Sequence, residues 1–129
     1  MSQNPALSPE DVYTINQEVL GKEPLVISPH LLRVAVDRPF TRMFGQEAYP
    51  RLVDKACALL HALAHDHLFM DGNKRTARRA VEHFVKHYGA SFNWDDEQAY
   101  DIVLEVAKGR YDVKQLAQRV TPFLQRDSD

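Results

Sequence analysis

The chain has 129 residues, 44% of them hydrophobic and 26% charged, with a formal net charge of −2. That length and balance fit one globular domain with a genuine core and exclude two ordinary domains. The small negative charge offers no general attraction to nucleic acid or an anionic membrane, and no apolar run approaches the ~20 residues of a membrane span. A single cysteine, Cys57, excludes an intrachain disulfide and a cysteine-rich metal site; within an apolar helical run it reads as a buried thiol. With no charged-then-apolar N-terminal signal, a cytoplasmic protein is expected.

Residues 1–7 are polar with one proline and read as a loose tail. Ser8-Pro9-Glu10-Asp11 is a helix start: a hydroxyl cap, proline in the first turn, then acids facing the helix dipole. Val12, Ile15 and Val19 make an apolar stripe, and Gly21 can close the helix. Ser28-Pro29 repeats the signal for a short second helix through Leu31, Leu32 and Ala35, which Pro39 stops. Between Asp37 and Tyr49 the helical period is lost. Phe40, Arg42 and Phe44 alternate with Thr41 and Met43 ahead of Gly45, which suggests a short strand or hairpin.

From Pro50 the pattern is the strongest in the chain, with Leu52, Ala56, Leu59, Leu60 and Leu63 at helical spacing. A second strong helix runs from Asn73 to Tyr88, with Ala77, Ala80, Val81, Phe84 and Tyr88 on one face and Gly89 as its stop. These two helices should form the centre of the fold. Asp95-x-x-Gln98 and Asp112-x-x-Gln115 look like capping boxes that start two more, separated by Gly109, and Thr121-Pro122 should bend or restart the last. The expected class is all-α: a single domain over residues 1–129, of about six helices with a small β-hairpin.

The connector between the two central helices carries the chemistry: His67-Leu-Phe-Met-Asp-Gly-Asn-Lys-Arg75. Gly72 permits a tight turn, and a turn feeding a helix N-terminus leaves backbone N–H groups facing a place where an anion can sit. Lys74 and Arg75 add full charges there. His67 is the candidate general base, because a neutral imidazole is available near neutral pH. Asp71 can offer Mg²⁺ a hard oxygen, or cap the following helix, or both. Gly72 and Asn73 would give backbone N–H groups to a phosphate, with the Asn73 amide as a further donor, and Arg75 could hold phosphoryl oxygens bidentately. Phe69 reads as a core anchor that pins the loop. Taken alone, two cations after a turn are usually a solvated helix face.

A metal alternative rests on His61 and His65, four apart on a helix beside Asp66 and His67, with His83 and His87 repeating the spacing. Zinc hydrolases place a glutamate between such histidines, whereas Ala62-Leu63-Ala64 supplies no base. Hydrogen bonds at the core edge explain them better.

The stretch from His67 to Arg75 resembles the signature of the Fic/Doc family, His-x-Phe-x-(Asp/Glu/Asn)-(Gly/Ala)-Asn-(Gly/Lys)-Arg, and lysine at the eighth position is the form of its Doc (death on curing) branch. The helical layout, the chain length and the segment from Arg38 to Pro50 are also similar to Doc-like proteins. The resemblance implies that residues 40–44 (Phe40, Thr41, Arg42, Met43, Phe44) form a flap that holds a target peptide beside His67. It implies ATP and Mg²⁺ as cofactors, with Gly72, Asn73, Lys74, Arg75 and Arg78 binding nucleotide phosphates and Asp71 the metal. Lys74 would crowd the phosphate nest that glycine leaves open in adenylylating members. In the Doc branch it goes with a reversed nucleotide, so that the γ-phosphoryl group faces the attacking hydroxyl. Arg75-x-x-Arg78 resembles the second arginine of adenylylating members and leaves that transfer open.

The resemblance further implies a toxin kinase acting on a Ser or Thr hydroxyl of elongation factor Tu, and a separate antitoxin chain as partner. Self-inhibited members carry a Ser/Thr-x-x-x-Glu-(Gly/Asn) helix; Thr14-x-x-x-Glu18 comes close, but Val19 fills the last position. Many Doc-like chains have a histidine near the place of Asn16, a departure that touches no motif role. The alternatives are protein adenylyl transfer and a non-catalytic nucleotide- or protein-binding module. Nucleic acid and membranes are not expected partners.

Overall fold

The computed structural model describes residues 3–128, which form six α-helices, two 3-10 turns and two small antiparallel sheets. The helices are α1 (Pro9–Leu20), α2 (Pro29–Asp37), α3 (Leu52–His65), α4 (Asn73–His87), α5 (Asp96–Ala107) and α6 (Val113–Val120). Their starts follow the local chemistry. Ser8 Oγ accepts from the Asp11 N–H at 3.0 Å while Asp11 Oδ2 accepts from the Ser8 N–H at 2.9 Å, a reciprocal box that satisfies two orphan donors. Ser28 Oγ caps α2 through the Leu31 N–H. Asp95 with Gln98, and Asp112 with Gln115, close the expected boxes on α5 and α6.

α3 and α4 pack against each other more extensively than any other pair, and α3 also meets α2, α5 and α6. The reason lies in α3 itself: nine residues, Val53, Ala56, Cys57, Ala58, Leu59, Leu60, Ala62, Leu63 and Ala64, are buried, so apolar surface faces nearly all round. α4 instead presents one stripe of Ala77, Ala80, Val81, Phe84 and Val85 to the core. Cys57 is buried as expected, and burial pushes its thiol well above the usual range, so it is no nucleophile.

Three expectations need correction. The loose tail is packed from its fourth residue: Asn4 Nδ2 donates to the Val36 carbonyl, Asn4 Oδ1 accepts from the Ala6 and Leu7 N–H groups, and Leu7 is 1% exposed. Met1 and Ser2 lie outside the described residues. Phe40 is not part of a strand. It sits in a 3-10 turn (Arg38–Phe40), half-buried edge-on to Phe84 with the Lys55 ammonium over its ring, because Pro39 is fixed in the core beneath it. The hairpin is shorter than the alternation suggests: β1 (Arg42–Met43) pairs with β2 (Gln46–Glu47), and Phe44 and Gly45, both at positive φ, make the turn. Lys55 ties it to α3 through Glu47 at 2.9 Å.

A second sheet had no clear sequence signal. β3 (Ala90–Phe92) pairs with β4 (Leu124–Arg126), so the chain after the 3-10 turn Thr121–Phe123 returns to close the open side of α4. No helix among the described residues is long and apolar enough to cross a membrane.

Candidate active site

The motif connects α3 to α4 and is held from both ends. Asp66 caps α3, and His67 follows with an exposed ring that makes no hydrogen bond within the described residues. Leu68 and Phe69 then turn inward, 0% and 1% exposed. Their backbone pairs with the segment before α2: the Ile27 N–H donates to the Leu68 carbonyl at 2.8 Å, and the Met70 N–H to the Leu25 carbonyl at 2.9 Å. Phe69 is therefore the anchor that its sequence context suggested. His67 and Met70 are exposed on either side of this fixed apolar pair.

Asn73 braces the turn from within. Its Oδ1 accepts from the Phe69 N–H at 3.1 Å and its Nδ2 donates to the Phe69 carbonyl at 2.8 Å. Both ends of the amide are thus engaged on Phe69, while Nδ2 keeps one proton uncommitted among the described residues. The Gly72 N–H is likewise taken, by Asp71 Oδ1 at 2.8 Å. Asp71 does not cap α4: Gly72 is the N-cap residue, in the left-handed conformation at φ 77°, and no side chain caps the helix. The first-turn N–H groups of α4 from Asn73 onward are the donors left facing outward.

Gly72 also meets α1 closely. A Cβ there would stand 3.0 Å from Leu20 Cδ2, 3.2 Å from Asn16 Nδ2 and 3.3 Å from Val19 Cγ1. Two independent constraints, a positive φ and this contact, therefore favour glycine.

The cations divide into two kinds. Lys74 and Arg75 are exposed and form no ion pair among the described residues; Arg75 Nη1 reaches only the Val19 carbonyl, at 3.4 Å. Arg78 is engaged: Nη1 donates to Asp96 Oδ1 at 2.9 Å and Nε to Glu82 Oε2 at 3.4 Å. Trp94 Nε1 donates to the same Glu82 oxygen at 2.9 Å and fixes it. Because Asp96 is 96% exposed, its pair with Arg78 is worth about 0–1 kcal/mol and an anion could displace it.

Two adjoining hollows open beside these residues. One of about 360 Å³ is lined by Val19, Arg75, Arg78, Arg79, Glu82 and Asp96. Another of about 210 Å³ shares Arg75, Arg78 and Asp96 and adds Lys74, Ala99, Tyr100 and Val103. His67 and Asp71 line neither. The larger hollow of about 620 Å³ lies elsewhere, between α2 and the hairpin. It holds none of the motif, so its size alone does not make it the reactive centre.

The arrangement fits a magnesium-bound polyphosphate. Asp71 is exposed and has one carboxylate oxygen without a partner among the described residues, as a hard cation shared with phosphate requires. The uncapped helix start and two unpaired cations suit the phosphoryl oxygens. Two contributors, Glu82 and Asp96, escaped the sequence reading, and a third, Asn16, was noted there without a motif role. Glu82 follows Arg78 by one helical turn and could have been read as its partner; Asp96 reaches it only through the tertiary fold. Asn16 follows Val12 by one turn on the buried face.

His61 and His65 stack at 5.4 Å between ring centres. Arg38 Nη1 lies 3.1 Å from His61 Nδ1, and since arginine only donates, that nitrogen accepts. Burial first, and then the Arg38 charge, hold His61 below its ordinary value of ~6.5. The folded chain therefore keeps this ring neutral where the unfolded chain binds a proton, so stability is full above about pH 6.5 and declines as pH falls toward the lowered value. In urea denaturation from pH 7 to 5, His61→Gln should show a shallower decline than the unaltered chain.

The Fic/DOC family model matches residues 6–85. Toxin Doc of Mycolicibacterium smegmatis (strain ATCC 700084 / mc(2)155) is 40% identical over 119 residues, which cover 91% of this chain and 92% of that protein. The matched span holds the hairpin, α3 and the whole motif turn. On the motif, its geometry and these matches together, the chain belongs to the Fic/Doc family.

Proposed function

We propose that the chain is the toxin of a toxin–antitoxin pair and that it transfers the γ-phosphoryl group of ATP to a Ser or Thr hydroxyl of elongation factor Tu. The likeness to a Toxin Doc supports the coarser part of this reading, including a separate antitoxin chain. The observation that carries the kinase reading is the division of the cations. Among the described residues Lys74 and Arg75 form no ion pair at the helix start, whereas Arg78, the arginine that would serve adenylyl transfer, is paired with Asp96 and Glu82.

In this reading the α4 N-terminus, Lys74 and Arg75 hold the phosphate oxygens and spread the charge that develops on them. Asp71 would hold Mg²⁺, and the ion would screen the phosphate charges. The hairpin offers an open strand edge to a target segment, and the two-stranded ribbon leaves such an edge on either side. His67 takes the proton from the target hydroxyl as its oxygen attacks the γ-phosphorus. The bond to the bridging oxygen breaks, and ADP leaves with that electron pair. Positioning and charge account for most of what phosphoryl transfer needs, which a domain of this size can supply.

One observation favours adenylyl transfer as the second reading: Arg78 lines the same two hollows as Arg75, and its exposed bond to Asp96 is weak. A cell-free translation assay tests the proposal. Added protein should arrest amino-acid incorporation, His67→Ala should not, and excess elongation factor Tu should restore it. Arrest relieved by a different factor, or none at all, would overturn the target or the toxin reading respectively.

A further inference from the structure

We infer that Asn16 is a positioning residue for the transfer: from α1 it holds the backbone turn that aims Asp71. This rests on the proposed reaction at that turn. Asn16 is 0% exposed, and both protons of its amide are used on α4's entry. Nδ2 donates to the Asp71 carbonyl at 3.0 Å and to Thr76 Oγ1 at 3.0 Å. One side chain thus links the residue before Gly72 to the first turn of α4, spanning the N-cap from outside. Thr76 is itself 2% exposed, so its bond to Asn16 does not exchange for water freely.

The cost of this arrangement is visible. Asn16 Oδ1 is buried with no hydrogen-bond partner among the described residues. A buried acceptor left unpaired destabilises a fold, whereas an apolar side chain at that place would not. Packing alone therefore does not explain an asparagine there, while the need for two donors does. The Asn73 amide and the pairing with residues 25–27 fix Phe69 and Met70, but neither touches Asp71. Among the described residues, the Asp71 carbonyl is held by Asn16. Gly72, pressed against Asn16, Val19 and Leu20, completes the seat. If the carbonyl swings, the carboxylate of the same residue swings with it, and a displacement of about 1 Å can cost on the order of 100-fold in rate.

Asn16→Ala tests this beside Val12→Ala, which removes packing from the same face of α1 one turn earlier but no bond to the motif. Asn16→Thr, close in volume and retaining one donor, covers the case in which the alanine variant fails to fold. The readouts are kcat and KM for ATP, the Mg²⁺ concentration at half-maximal rate, the urea midpoint, and amide hydrogen exchange over residues 69–76. The inference expects Asn16→Ala to lower kcat by about 10–100-fold, to raise the Mg²⁺ requirement and to speed exchange in that turn. Asn16→Thr should lie between it and the unaltered chain, while Val12→Ala keeps kcat despite a comparable midpoint loss. Equal kcat losses in the two alanine variants, or an unchanged Mg²⁺ requirement in Asn16→Ala, would reduce Asn16 to a structural residue. If the unaltered protein transfers nothing, the functional reading fails and exchange alone decides: selective loosening of residues 69–76 upholds the hold on the turn, and its absence overturns it.

Discussion

His67→Ala should lower the transfer rate by about 10²–10⁴-fold, the usual worth of a general base. The loss should fall on kcat, with ATP affinity preserved, since the phosphate donors and cations lie on α4 and not on the histidine. Stability should move by no more than about 0.5 kcal/mol, because the ring is exposed and makes no hydrogen bond among the described residues. This combination is informative: a folded, nucleotide-binding protein that no longer reacts. Single-turnover kinetics and nucleotide titration read the two parts separately. A variant that keeps its rate within about tenfold would place the base elsewhere. A variant that also loses ATP would make His67 part of the binding site.

Phe69→Ala should have the largest effect on stability, about 3–5 kcal/mol by the usual cost of truncating a buried phenylalanine. Set against a total of about 5–15 kcal/mol for a domain, that loss leaves a marginal fold. It should also reach the chemistry. Phe69 is the residue whose N–H and carbonyl both bond to Asn73, and whose neighbours pair with Leu25 and Ile27. A cavity under it frees the turn between His67 and Asp71. Urea denaturation should show a large drop in midpoint, and activity measured well below that midpoint should still be reduced. Phe69→Leu should lose less of both. A variant that unfolds readily but reacts normally when folded would separate the anchor from the site.

Much of this was written in local sequence. Ser8, Ser28, Asp95 and Asp112 start helices because each puts an acceptor where an orphan N–H needs one, and that chemistry involves only residues three positions apart. The motif was legible for a similar reason: turn, helix start, histidine and cations fall within nine residues. What stayed hidden depends on distance. Arg78 reads as a free cation until α5 brings Asp96 beside it, 18 positions on. β3 and β4 lie more than 30 residues apart and are three residues each, too short for alternation to register. Phe40 shows the opposite error. Its alternation with Arg42 and Phe44 was real, but Pro39 in the core fixed the ring inward before the hairpin began.

Transfer of a γ-phosphoryl group onto a protein hydroxyl is the reaction proposed for this turn. Its most direct measurement is a transfer assay with elongation factor Tu, Mg²⁺ and ATP labelled at either the γ- or the α-phosphate, with His67→Ala as control. Label is expected on the factor from γ-labelled ATP alone, and none with the variant. Label from the α-phosphate would mean adenylyl transfer, with Arg78 outweighing Lys74. Label from neither, on the factor or on any protein of a bacterial lysate, would contradict both transfers and leave a nucleotide-binding module.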